Sequence, residues 1–199
     1  CYDTDRSGNP ISTSGSYPLV GYVPWEARTN LCLQSQSFDT TWTATALTTI
    51  SSTRTAPDGT ATAFEFDDGV AGGTSHRRFQ SPVNTTAVPH TMSVYAKDVD
   101  RGWIGFRLTD SGGVNRLCWF NIAAGVVGTA AAGFTTSIQS LPNGWYRCIA
   151  TLTTFAGDST PLLFLAPSDG VDVYVGSNKK AQLWGAQVEL GSFATPYIP

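Results

Sequence analysis

Charge is what this chain has least of. Asp, Glu, Lys and Arg make up 14% of its 199 residues and the formal net charge is -3, against roughly 25% charged residues in ordinary soluble domains. Its few cations are scattered, so no basic field awaits a phosphate backbone and nucleic acid is excluded as a partner. Long apolar runs are missing too. None approaches the roughly twenty residues that a membrane-spanning helix requires, and no membrane partner is expected. Cysteine is sparse: Cys1, Cys32, Cys118 and Cys148 show no C-x-x-C spacing, and His76 and His90 stand apart from them, so no zinc ligand set is spelled out. Within apolar strands such cysteines read as small buried hydrophobes; a Cys118–Cys148 bridge requires their strands to pair.

Helical periodicity is also nearly absent. Ala123 to Gly133 is alanine-rich, but its glycines argue against a helix. What the chain has instead is short alternating runs separated by turn chemistry. Phe64 and Phe66 oppose Ala63 and Glu65; Met92, Val94 and Ala96 oppose Ser93, Tyr95 and Lys97; Ile104, Phe106 and Leu108 oppose Trp103, Gly105 and Arg107. Further strands are expected at 117–122, 125–129, 145–152, 162–166, 171–175 and 183–190. Pro57-Asp58-Gly59, Ser111-Gly112-Gly113, Pro142-Asn143-Gly144 and Ser168-Asp169-Gly170 supply the turns. About ten strands at this spacing predict an all-β antiparallel sandwich or barrel over residues 25–199. Residues 1–24, rich in Gly, Ser and Pro without sustained period, read as an extended N-terminal arm or a linker.

Five phrases sharpen this. EARTNLCLQSQSFDTTW (Glu26 to Trp42), TAPDGTATAFEF (Thr55 to Phe66), TMSVYAKD (Thr91 to Asp98), PNGWYRCIAT (Pro142 to Thr151) and LWGAQVELGSFATPYIP (Leu183 to Pro199) occur in that order. Together they resemble the carbohydrate-binding-module-like jelly-roll domains of tailed-phage virion proteins such as fibres and spikes. The resemblance implies a jelly-roll β-sandwich and a place on the virion surface. It also implies a homo-oligomer, with a trimer favoured, and contacts to other virion proteins, for which residues 1–24 are the candidate segment. It supplies no ligand.

The candidate binding chemistry lies on strand faces opposite the aliphatic ones. Tyr95, Trp103, Arg107, Asp172 and Tyr174 are expected outward, the last two because Val171, Val173 and Val175 would point in. Aromatic rings on a rigid sheet stack on the C–H face of a sugar while Arg and Asp bond its hydroxyls, so host-surface polysaccharide is the expected partner. The competing readings are a purely structural head-decoration or fibre-base protein whose aromatic face packs on neighbours, and a polysaccharide-degrading domain. Trp119, Trp145 and Trp184 read as core or rim, Trp184 sharing the face of Val188, with Leu190 also placed in the core. Trp42 is expected under the loop that follows it.

Catalysis finds little support. A glycosidase sets two carboxylates across a cleft, whereas Glu65, Asp67 and Asp68 are neighbours and read as solvated strand-end acids. His76-Arg77-Arg78 has no nucleophile or acid placed beside it by any motif. No enzyme and no cofactor are expected; a structural calcium ion is left open, with Asp39, Glu189, backbone carbonyls or the Glu65 and Asp67 pair as oxygens. Asn84-Thr85-Thr86 spells a glycosylation sequon without other support.

Overall fold

Apolar alternation becomes strand structure through most of the chain. The computed structural model describes residues 28–199, apart from residue 82 and the side chains of residues 49–53. The arm expected over residues 1–24 lies outside the described residues. In chain order the strands begin with β1 (Thr43–Thr45), β2 (Thr48–Arg54), β3 (Ala63–Asp67), β4 (Thr74–Ser75), β5 (Arg77–Phe79) and β6 (Val83–Thr85). Next come β7 (Pro89–Asp98), β8 (Trp103–Thr109), β9 (Asn115–Asn121), β10 (Val126–Ala130) and β11 (Thr135–Ser140). The last are β12 (Trp145–Thr153), β13 (Gly157–Ser159), β14 (Leu162–Ala166), β15 (Val173–Tyr174) and β16 (Lys180–Leu190).

Two six-stranded antiparallel sheets form, ordered β1-β5-β14-β8-β9-β10 and β11-β12-β7-β16-β3-β2. Their inner faces close on one core, to which Ile104, Phe106, Phe120 and Leu163 come from the first sheet and Phe66, Met92, Val94 and Leu183 from the second. This is the expected all-β jelly-roll sandwich. Within the alanine-rich stretch Val126–Ala130 form strand β10, flanked by turns, and no helix forms. Phe38, wholly buried, meets Phe66 edge-on with ring centroids 5.1 Å apart, and Trp42 joins the same core instead of lying beneath a loop. Arg78 donates to the carbonyls of Phe38 and Trp42, while Gln80 bonds both the N–H and the carbonyl of Leu33. The opening segment is thereby strapped to the sandwich.

The outer face of the second sheet is not open. The exit segment, residues 191–199, folds back over it, which is why Thr91 and Ser93 of β7 are fully buried although they point away from the core. Glu189, itself at 0% exposure, is the anchor. Its carboxylate accepts from Thr195 N (2.8 Å), Thr195 Oγ1 (2.7 Å) and Gln187 Nε2 (2.6 Å), with Arg28 3.6 Å away. Asn30 clamps the same region, donating to the carbonyls of Ala186 and Ile198 and accepting from the N–H of Val188. Glu189 is thus committed to the fold, not free for calcium.

A one-residue bulge corrects the expected faces of β16. Pairing with β7 shifts between Trp184 and Gln187, and Gly185 sits at φ +62°, a conformation that costs a non-glycine residue strain. Leu183 and Val188 both reach the core, but Trp184 turns to the outer face, where it packs on Tyr95 and Tyr197 with centroids 5.2 and 4.4 Å away. Leu190, expected inside, is 53% exposed because the strand ends there. Trp145 is buried in this same outer cluster rather than at a rim.

Cys118 and Cys148 belong to β9 and β12, strands of different sheets, so their strands do not pair and both thiols are free, as is that of Cys32. Burial pushes the Cys32 thiol up to about 12 and raises the other two as well. These three cysteines are expected to resist a thiol reagent in native protein and to react on unfolding in urea, read by absorbance. Glu189→Ala, which removes the acceptor on which Thr195 and Gln187 converge, is expected to cost about 3–5 kcal/mol in chemical denaturation. His90, donating from Nδ1 to the Val88 carbonyl at 3.0 Å, has its pKa lowered from 6.5, chiefly by burial. The folded state therefore favours the neutral ring while the unfolded chain takes up a proton. Its contribution is complete above the ordinary histidine value and declines as pH falls, so melting temperature should drop between about pH 7 and about pH 5. His90→Gln should flatten that slope.

Candidate functional site

Face parity holds in β7 and β8, but the expected aromatic patch divides among three places. Trp103 and Arg107 leave β8 on the outer face of the first sheet. Tyr95 lies on the outer face of the second, 8% exposed beneath Tyr197 and Trp184, and is therefore closed to a ligand. Tyr174 belongs to the small β4–β15 ribbon and turns inward, its ring 4.3 Å from His76 and 5.2 Å from the Arg101 guanidinium. Its valine neighbours face solvent instead, Val173 at 54% and Val175 at 67% exposure, which reverses the expected parity. The reason is that β15 pairs only with β4, so the sandwich core never reaches Val173 or the adjoining Val175. Burial first, then the nearby Asp68 carboxylate, raises the pKa of the Tyr174 phenol. Asp172 is half-buried just ahead of β15.

The acids considered for catalysis are held by cations. Glu65 meets Arg54 at 3.1 Å and Lys180 at 3.7 Å, and Asp67 meets Lys180 at 3.7 Å. Asp68 is wholly buried, paired with Arg101 and accepting from the N–H groups of Ser177 and Lys179. Glu65 and Asp68 are buried structural groups, not solvated strand-end acids. His76 is equally interior, both ring nitrogens facing backbone carbonyls, those of Ala46 and Tyr174. Among the described residues no three His, Cys, Asp or Glu side chains are grouped to hold a metal ion.

Two concave or apolar surfaces remain. One is a groove of about 400 Å³ lined by Asn30, Gln34, Ser35, Gln36 and Tyr197. Three of its polar groups already serve the fold, since Asn30 clamps the tail and the Ser35 hydroxyl bonds that of Tyr197.

The other surface is the outer face of the first sheet. Here the register places Phe164 beside Gly105 and Gly105 beside Trp119, and in the next row Phe79, Leu162, Arg107 and Leu117 side by side. Gly105 is the key to this arrangement. A Cβ there would stand 2.5 Å from Cε3 and Cζ3 of Trp119, so only glycine lets the indole lie down across β8. The indole then reaches toward Phe164, centroids 5.8 Å apart at 38°. Trp119 and Phe164 form a covered base, 4% and 2% exposed, while Trp103, Phe79 and Leu117 are half-buried around it. Trp103 leans over Gly128 of β10, where Asp169 accepts from the N–H and hydroxyl of Thr129 and closes that edge.

Arg77 and Arg107 complete the face. Their Nε atoms are sealed from solvent without a hydrogen-bond partner, and Arg77 rests near the Phe79 ring at 5.9 Å. Burial, and secondarily the positive charge of Arg77, lowers the pKa of Arg107. Trp103 and Arg107 were legible as outward residues; Trp119, read as core or rim, is the buried base of the face, Arg77 was weighed only beside His76 and Arg78, and Phe79 and Phe164 were not singled out. Alternation within 77–79 and 162–166 was readable, yet only pairing shows that these strands adjoin β8.

No family model and no curated protein matches the chain. Among solved structures, it is similar to a family 61 carbohydrate-binding module in complex with β-1,4-galactotriose, at 13% identity and a TM-score of 0.47, over 80% of this chain and 97% of that one. A family 22 xylan-binding domain from a Paenibacillus barcinonensis xylanase matches at 13% identity and a TM-score of 0.47, over 84% of this chain and 95% of that one. The enzymatically active domain of bacteriophage CBA120 tailspike protein 4 matches at 11% identity and a TM-score of 0.45 over 80% of this chain, which spans 21% of that domain's length.

Gly105→Ala is expected to lift Trp119 from the sheet, shifting tryptophan fluorescence to the red and costing about 1–3 kcal/mol of stability, measured by urea titration.

Proposed function

We propose that this chain is a non-catalytic carbohydrate-binding module, carried on the surface of a tailed-phage particle, that holds host-surface polysaccharide on the outer face of its first sheet. One observation carries the reading: an indole laid flat over Gly105 supports a ring of half-buried aromatic and aliphatic side chains, with two arginines among them that make no hydrogen bond or ion pair to the described residues. Such a surface offers apolar area to the C–H face of a pyranose and N–H donors to its hydroxyls, on strands too rigid to lose much entropy on binding. The phage setting is supported by the five sequence phrases alone. The second sheet offers no comparable site, since its outer face is spent on the chain's own tail.

The rival reading, a structural protein whose aromatic face packs on neighbouring subunits, uses the same surface with a different occupant. A glycan array of the isolated protein separates them. Trp103→Ala, which removes a half-buried ring without entering the core, is expected to weaken the binding of any polysaccharide hit by about tenfold, a loss of roughly 1.4 kcal/mol. Unchanged binding would move the site away from this face. Absence of any hit, together with self-association abolished by Trp103→Ala, would favour the structural role.

A further inference from the structure

The outer face of the first sheet holds two like charges side by side, and the Asp169 carboxylate, at the β10 edge beyond Trp103, is taken up by Thr129. Arg77 stands opposite Phe164 and Arg107 opposite Leu162, so the two flank β14 on the same face, one strand to either side. Their backbones are about 12 Å apart, two strand spacings across and two residues along, a gap that two arginine side chains reach across. They are near enough for Arg77 to disfavour the charge on Arg107.

Elsewhere the protein neutralises or satisfies its arginines. Arg54 meets Glu65, Arg101 meets Asp68 and Arg116 meets Asp110, while Arg147 donates to Ser93 and to the Thr195 carbonyl. Among the described residues Arg77 and Arg107 have no hydrogen bond or ion pair, and their Nε atoms, like those of Arg78, Arg101 and Arg147, are shut away from water without a partner. A chain with so few charges keeps two of them together, partly desolvated and unmatched. Burying a charge without a partner is costly, and two like charges side by side add to that cost. An anionic ligand would relieve both.

We infer that the polysaccharide is acidic, and that a sugar carboxylate is received between Arg77 and Arg107 while the ring of the same or the next sugar rests against Trp103 and Leu117. This rests on the carbohydrate-binding reading and adds the class of sugar to it. A carboxylate fits because it is planar and accepts from the guanidinium fork through both oxygens. A uronic acid places that group at the edge of a pyranose whose C–H face remains free for the aromatic side of the site. A neutral sugar would leave the two cations unmatched.

The test uses the chain as it stands and isothermal titration against polygalacturonate and alginate, both uronate polymers. The comparators are methyl-esterified polygalacturonate, neutral galactan and a sulfated galactan. Binding to a uronate polymer is expected, weakened about tenfold or more by esterification and by Arg77→Gln or Arg107→Gln, each of which removes a charge-assisted bond. Lys97→Gln, a cation of the second sheet, is the control for general charge and should leave binding within twofold. Equal affinity for esterified and free acid, or binding indifferent to both arginine variants, overturns the acidic assignment; if Trp103→Ala still weakens binding, the carbohydrate reading survives it. Preference for the sulfated polymer over both uronates overturns the carboxylate. Failure to bind any polysaccharide tested overturns the reading on which the inference rests. Thermal melts of each variant confirm that lost binding is not lost fold.

Discussion

The buried carboxylate of Glu189 is the point on which the division of labour between the two sheets turns. It holds Thr195 by backbone and side chain, and through Gln187 and Arg28 it ties the exit segment to β16. A charge this deep is tolerated only because several donors converge on it. With the tail in place, Thr91, Ser93, Tyr95, Trp145 and Trp184 are all interior, and the second sheet behaves as the middle layer of a three-layer structure. The first sheet has no such cover from residues 191–199, and its outer face is where aromatic and cationic side chains collect.

Glycine decides the details on both faces, by opposite means. Gly185 permits a left-handed backbone that turns Trp184 outward, and its lack of a side chain leaves room for Tyr197, whose ring would stand 3.1 Å from a Cβ there. Gly105 needs no unusual backbone; it simply vacates the surface on which Trp119 lies. In one case the absent Cβ helps to seal a sheet, in the other it builds a platform.

Much of the fold was legible from alternation alone. Ile104, Phe106 and Leu108 point in and Trp103 and Arg107 point out because a strand of period two leaves no other choice. What alternation does not encode is which sheet a strand joins. Tyr95 and Trp103 are both outward, yet β7 and β8 lie in different sheets, so their side chains leave opposite sides of the molecule. Nor does it survive an extra residue: the bulge at Gly185 reversed the parity of Trp184 relative to Val188. At β15 and the residue after it the rule met its other limit, for Val173 and Val175 obey the period but have no core to face. The candidate site was therefore legible only as two of its members, and Arg77, Phe79, Trp119 and Phe164 became visible through strand pairing.

The alternation in β8 also separates two kinds of evolutionary pressure. Ile104, Phe106 and Leu108 are locked into a shared interior, where each change is felt by many neighbours. Trp103 and Arg107, interleaved with them one residue at a time, answer to whatever lies on the outside. The same short strand can therefore drift toward new partners at every second position while its scaffold stands still. A lineage facing changing surroundings would find its variable and invariant letters written in strict alternation, on a single line of text.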